Sequence, residues 1–167
     1  MPSFDETDLE ALYEKLEKPV YNVVYRWVWD REEARDLTQE AFVRLWRMRA
    51  KIHDGAVEPL LYKIALNLAR SALRRRRVLA WIPLGPSVPS PVARDDPAGD
   101  FAQDEERARV RAAVSALPND LRQVILLCEF SGMSYGQISE VLSIPEGTVG
   151  SRRNRALKRL KEDLERS

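Results

Sequence analysis

Two stretches of this 167-residue chain carry side chains suited to chemistry on a polyanion. The first lies near the C-terminus. Helical spacing of roughly 100° per residue beyond Pro145 gathers Val149, Ala156, Leu157 and Leu160 on one side and turns Ser151, Asn154, Arg155 and Lys158 away, with Arg152 and Arg159 flanking. Those outward groups are hydrogen-bond donors of the kind that meet phosphates and guanine edges in a major groove. A basic face alone would also suit a plain solvated helix, but the preceding residues argue otherwise. Ser134-Tyr135-Gly136-Gln137 is a capping-box signature, followed by a short helix with Ile138, Val141 and Leu142 inward. Ser143-Ile144-Pro145 then makes a tight turn, Pro145 suits the first turn of a new helix, and Glu146 complements its positive N-terminal end. Two helices joined by so short a turn describe a helix-turn-helix.

The second stretch runs from about Glu58 to Arg77. Leu61, Ile64, Ala65, Leu68 and Ala72 form its apolar face, and Lys63, Asn67, Arg70, Ser71 and Arg74 line another. Lys and Arg neutralise phosphates without regard to sequence, whereas an Asn amide has donor and acceptor together and can read a base edge. Arg74-Arg75-Arg76-Arg77 follows at the C-terminal end. Macrodipole compensation would account for one or two of these arginines; four in a row favour nucleic acid.

The elements that position these faces read as all-α: two small helical domains joined by a Pro-rich linker. Apolar residues recur at helical spacing on both sides of a stretch holding Pro83, Pro86, Pro89, Pro91 and Pro97, which sustains neither helix nor central strand. The domains expected are residues 1–80 and 106–167, with 81–105 a semi-stiff acidic spacer. Net charge is only +1, but it divides into +2 for residues 1–80 (15 basic, 13 acidic), −4 for 81–105 (1 basic, 5 acidic) and +3 for 106–167 (11 basic, 8 acidic). In the first domain Asp30 and Glu33 make a capping-box signature opening a helix through Trp46. Its buried side is Ala34, Leu37, Ala41 and Leu45, leaving Asp36, Gln39, Glu40, Arg44 and Arg47 outside.

Other function classes fare poorly. One Cys and one His leave no zinc site, and no metal or cofactor is expected. Cys128 sits in an apolar run, where a small buried thiol is the simpler reading. An enzyme acting on nucleic acid needs clustered carboxylates or a metal-ligand set; Glu32, Glu33, Asp36 and Glu40 come nearest, on a helix face better read as docking a basic partner. No apolar run is longer than that from Val124 to Cys128, far short of the roughly 20 residues that span a bilayer. The acidic N-terminus lacks the form of a secretory signal, so a cytoplasmic protein is expected.

These residues resemble a known family. Asp36-Leu37-Thr38-Gln39-Glu40-Ala41-Phe42-Val43-Arg44-Leu45-Trp46 is similar to the polymerase-binding helix of extracytoplasmic-function sigma factors, and Tyr62-Lys63-Ile64-Ala65-Leu66-Asn67 to the start of their promoter-melting helix. Leu117-Pro118 through Leu160, including Met133-Ser134-Tyr135, Ile144-Pro145-Glu146-Gly147-Thr148-Val149 and Ser151-Arg152, resembles their promoter-reading domain. The resemblance implies a transcription initiation factor, without catalysis of its own, that binds core RNA polymerase and promoter DNA. Asp36, Gln39, Glu40, Arg44 and Arg47 would dock on the clamp helices of the largest subunit, with the flap region a further contact. Asn67, with Lys63, Arg70, Ser71 and Arg74, would engage the non-template strand of the minus-ten element. Ser151, Arg152 and Arg155 would read the minus-thirty-five element, Thr148, Asn154 and Lys158 completing that set. The linker would thread near the RNA exit path, and an anti-sigma factor is a further expected partner.

Extracting a base from duplex costs a few kcal/mol, and a good bidentate contact contributes about 1–3. A domain this small should therefore bind duplex promoter weakly without polymerase. Three residues depart from the family pattern: Gly150 stands where Lys or Arg is usual, Arg153 holds a position that is usually apolar, and Leu60 replaces a common Trp. The Ile52–Glu58 loop, with His53, Asp54 and Gly55, reads equally as a holder of a flipped base and as a surface turn.

Overall fold

A computed structural model describes residues 4–53, 55–81 and 101–167. The described residues form seven α-helices and one 3-10 turn, with no strand, so the all-α expectation is met. They fall into two compact units, residues 4–81 and 101–167. Most of the Pro-rich stretch read as a linker lies outside the described residues.

In the first unit, α1 (Glu6–Val28), α2 (Arg31–Arg47) and α3 (Val57–Ala80) pack as a three-helix bundle. Asp5 caps α1: its carboxylate accepts from the Asp8 amide and Asp8 accepts from the Asp5 amide, both at 3.0 Å. Leu16, Val20, Val23, Val24, Trp27 and Val28 recur at three- and four-residue spacing and are all buried. Pro19, inside α1, removes one ladder N–H without ending the helix. Trp29 closes α1 in the left-handed region at φ 54°, and Asp30 caps the next helix after this two-residue reversal. Ala34, Leu37, Ala41 and Leu45 are buried as expected, joined by Thr38 and Phe42. Of α3, Leu61, Tyr62, Ala65, Leu66, Leu68, Ala69 and Ala72 are buried. That arc is wider than one helix stripe because α3 packs against both neighbours; Ile64, expected inside, stays half-buried.

In the second unit, α4 (Phe101–Ala116) begins inside the stretch assigned to the spacer. It is followed by α5 (Asn119–Phe130), α6 (Tyr135–Leu142) and α7 (Glu146–Arg166). Leu121, Val124, Ile125, Leu126 and Leu127 of α5 meet Ile138 and Val141 of α6 and Val149 and Ala156 of α7 in one core. Each Leu, Ile or Val among them contributes about 1.5–3 kcal/mol when fully removed from water. The Ser134 capping box is complete: its hydroxyl accepts from the Gln137 amide at 3.2 Å and the Gln137 side chain accepts from the Ser134 amide at 3.0 Å. Ser143 makes the turn in the left-handed region at φ 54°. Pro145 then stands at the N-cap of α7, one place before the first helical residue. The two helices approach closely here. A Cβ on Gly136 would fall 2.8 Å from the Glu146 carboxylate. At the far end, Arg109 of α4 donates to the Leu164 and Ser167 carbonyls at 2.7 and 3.0 Å, fastening the end of α7.

Cys128 is half-buried rather than fully enclosed, and burial pushes its thiol up from the ordinary range. Leu157, expected against the core, is 40% exposed, because only Val149 and Ala156 of α7 reach full burial.

Candidate nucleic-acid and polymerase interfaces

The exposed face of α3 is set by its buried one. With Leu61, Ala65, Leu68 and Ala72 packed inward, Lys63, Asn67 and Arg74 are exposed and Arg70 and Ser71 half-exposed along a single stripe. Local hydrogen bonds order it: Arg70 Nη2 donates to Asn67 Oδ1 at 2.6 Å, and Arg74 Nη2 to Ser71 Oγ at 3.3 Å. Burial and the neighbouring Arg74 lower the Arg70 pKa, but an arginine so placed remains charged. The Asn67 amide nitrogen keeps its donors toward solvent while its oxygen is engaged, so Arg70 fixes which way the amide points.

The four-arginine run does not form one uniform surface. Arg76 turns inward, donating from Nη1 to the Val28 carbonyl at 2.8 Å and pairing with Glu33. It thereby caps the C-terminal end of α1 and, through the Glu33 carboxylate, ties that end to the first turn of α2. Glu33 is consequently drawn away from the reciprocal half of its capping box; Asp30 Oδ1 accepts from the Glu33 amide at 2.9 Å, and the Glu33 carboxylate goes to Arg76. Arg74, Arg75 and Arg77 stay exposed. Between α2 and α3, His53 and Gly55 are exposed, Gly55 at φ 86°, a conformation glycine permits; Asp54 lies outside the described residues.

On α2, Asp36, Gln39, Arg44 and Arg47 are exposed and Glu40 half-exposed. Arg44 Nε donates to Glu40 Oε1 at 2.8 Å, holding that carboxyl below its usual range. This face is therefore a mixed charge array, with Val43 and Met48 adding exposed apolar surface that binary patterning had no reason to single out. An open groove lies alongside, between α1 and α2, lined by Tyr13, Glu17, Lys18, Tyr21, Arg35 and Gln39. Its α1 half could not be read from α2 spacing, since it depends on how the two helices meet.

On α7, Ser151, Asn154, Arg155, Lys158 and Arg159 are exposed and Thr148 half-exposed. Ser151 Oγ donates to the Thr148 carbonyl at 3.2 Å, tying the two together. Arg152 is placed differently. It is half-buried toward α5, with Nε 3.9 Å from Asp120 Oδ2, so it borders the outward face rather than standing on it. Arg153, with no place in an apolar core, reaches across to α5, where Nε and Nη2 donate to Glu129 Oε1 at 3.1 and 2.8 Å. Gly150 faces Tyr135: a Cβ there would meet the ring at 3.5 Å, ordinary contact distance. No group of three or more His, Cys, Asp or Glu suited to a metal ion occurs among the described residues, and none of their helices is long and apolar enough to cross a membrane.

Comparison with known proteins falls on the same residues. The model of sigma-70 region 2 matches residues 12–78, and that of sigma-70 region 4 matches residues 107–160. The chain is 32% identical over 175 residues to the RNA polymerase sigma-H factor of Pseudomonas aeruginosa, covering 96% of this chain and 88% of that protein. It is 33% identical over 166 residues to the ECF RNA polymerase sigma factor SigE of Mycolicibacterium smegmatis, covering 98% of this chain but only 62% of that one. Among solved structures, CnrH in complex with the cytosolic domain of CnrY superposes with a TM-score of 0.74 at 21% identity, over 98% of this chain and 91% of that one. The sigma factor RpoE in complex with the anti-sigma factor NepR, from Bartonella quintana, gives a TM-score of 0.73 at 22% identity, over 95% and 98%. At those identities the two structures speak to the fold.

Proposed function

The chain belongs to the sigma-70 family of RNA polymerase sigma factors, in its extracytoplasmic-function branch, and from that premise we propose how its surfaces divide the work of initiation. The α2 face of Asp36, Gln39, Glu40, Arg44 and Arg47 docks on the clamp helices of core polymerase. The α3 stripe of Lys63, Asn67, Arg70, Ser71 and Arg74 engages the minus-ten element. The α7 face of Thr148, Ser151, Asn154, Arg155 and Lys158, bordered by Arg152, reads the minus-thirty-five element. One observation supports this reading above others: each unit turns outward one helix face of phosphate- and base-directed donors, α3 in the first and α7 in the second.

The division also assigns chemistry by residue type. Arg155 and Lys158 supply charge-assisted bonds to phosphate or guanine, whereas Asn67, oriented by Arg70, supplies directional donors to a base edge. The unit of α1 to α3 and the unit of α4 to α7 act as the two DNA-contacting domains on either side of an acidic spacer, in the cytoplasm, without catalysis of their own. An anti-sigma factor is a further proposed partner, as NepR is for RpoE. The test is run-off transcription on fragmented host DNA with core polymerase, with and without this protein. Protein-dependent start sites sharing two spaced upstream motifs are expected. No new starts, together with failure to co-purify polymerase, would leave a conventional helix-turn-helix regulator.

A further inference from the structure

The basic stripe of α3 does not stop at Arg74. At about 100° per residue, Arg77, Val78 and Trp81 fall within the same arc of about 120° as Lys63, Asn67, Arg70, Ser71 and Arg74. Trp81 keeps helical backbone angles at the C-cap and donates its amide to the Val78 carbonyl at 3.1 Å, so the register carries through. Its side chain is 87% exposed and that of Val78 63%. Single exposed apolar residues are ordinary on protein surfaces. An indole and an isopropyl group one turn apart, in register with a basic stripe, are a different matter.

The flanking charge indicates what covers them. Arg74, Arg75 and Arg77 form no ion pair among the described residues, while Arg76 is spent inside the bundle. An apolar pair set among guanidinium groups fits a surface with closely spaced anions and apolar sugar and base edges between them, which is nucleic acid. It is a poor fit for a basic protein surface. Direction follows from connectivity: beyond Trp81 the chain proceeds to the unit assigned to the upstream element. Trp81 stands about 21 Å along the helix from Asn67, at 1.5 Å per residue, which corresponds to about six base pairs.

We propose that Trp81 and Val78 extend the minus-ten-binding face, packing against duplex promoter DNA just upstream of the minus-ten element while Arg74 and Arg77 hold its phosphates. This rests on the assignment of the α3 stripe to promoter DNA. Trp81 is a specificity or positioning contact at the edge of the melted region, with no part in polymerase docking.

The experiment uses the full chain with core polymerase on a promoter fragment. Trp81→Ala should lower open-complex formation roughly five- to twentyfold, Trp81→Phe should keep most of it, and core affinity should be unchanged in both. A photoreactive benzoylphenylalanine at position 81 should cross-link to DNA upstream of the minus-ten element. Cross-linking to a polymerase subunit or to this chain itself, or full activity of Trp81→Ala, overturns the proposal. Asn67→Ala separates the two readings. If it impairs minus-ten recognition while Trp81→Ala does nothing, only the extension fails; if neither matters, the assignment of the α3 face fails with it.

Discussion

Arg76 donates from Nη1 to the carbonyl oxygen of Val28 at 2.8 Å, joining residues 48 apart in sequence at the point where α1 ends and α2 begins. The last carbonyls of a helix have no intrahelical partner, and a cation there also opposes the negative end of the helix dipole. Glu33, in the first turn of α2, completes the junction from the other side. One guanidinium thus ties all three helices of the first unit together.

Arg76→Ala should therefore destabilise the first unit by about 1.5–3 kcal/mol, the range for losing a hydrogen bond made by a charged group. Arg75→Ala, at an exposed neighbour, should stay within about 0.5 kcal/mol of wild type. All four tryptophans, Trp27, Trp29, Trp46 and Trp81, lie in this unit, so urea unfolding followed by tryptophan emission reads it separately from the other. Equal effects of the two substitutions would count against the junction.

Asp36→Lys and Arg155→Ala should fail in different ways. Reversing the charge of Asp36 should abolish capture of core polymerase with contacts to isolated DNA intact. Arg155→Ala should cost about 1–3 kcal/mol in promoter binding and relax preference at one upstream base. Polymerase pull-down and selection from a randomised upstream element measure the two separately, and equal loss of both activities in both variants would contradict the division.

Ser134→Ala removes one half of the α6 capping box and should cost the second unit about 1 kcal/mol. Amide exchange at Gln137, whose N–H loses its acceptor, should accelerate more than exchange in α5. A uniform change across both helices would mean that the cap does not act locally.

Tyr62 is fully buried in the first unit, and that burial, with Glu58 adding to it, pushes its hydroxyl far above the ordinary tyrosine value. Tyr13 is raised too, by burial and by Glu17. A raised acid holds its proton longer in the folded state, so its contribution is intact below the unfolded value near 10 and is lost as pH rises beyond it. The first unit should lose stability above about pH 10, and Tyr62→Phe should flatten that loss in tryptophan-monitored urea titrations. A slope unaltered by the substitution would assign the alkaline transition elsewhere.

Much of this protein is local and therefore legible along the chain. The Ser134–Gln137 box, the Ser143-Ile144-Pro145 turn and the alternation of Val149 and Ala156 with Ser151, Arg155 and Lys158 specify the helix-turn-helix, because caps, turns and helical periodicity act within a few residues. The same holds for the α2 and α3 faces, whose outward residues are what remains once Ala34, Leu37, Ala41, Leu61, Ala65 and Leu68 turn inward. What tertiary structure decided are the contacts between elements. Arg76 leaves the basic run because Val28 and Glu33 lie within its reach, Arg153 escapes the apolar core by pairing with Glu129, and Arg152 leans toward Asp120. Leu157 is left outside because the packing of α7 against α4, α5 and α6 encloses only Val149 and Ala156 fully. None of these follows from spacing, since a long cationic side chain goes wherever folding places an unpaired carbonyl or carboxylate, and only packing brings residues 48 positions apart within 2.8 Å.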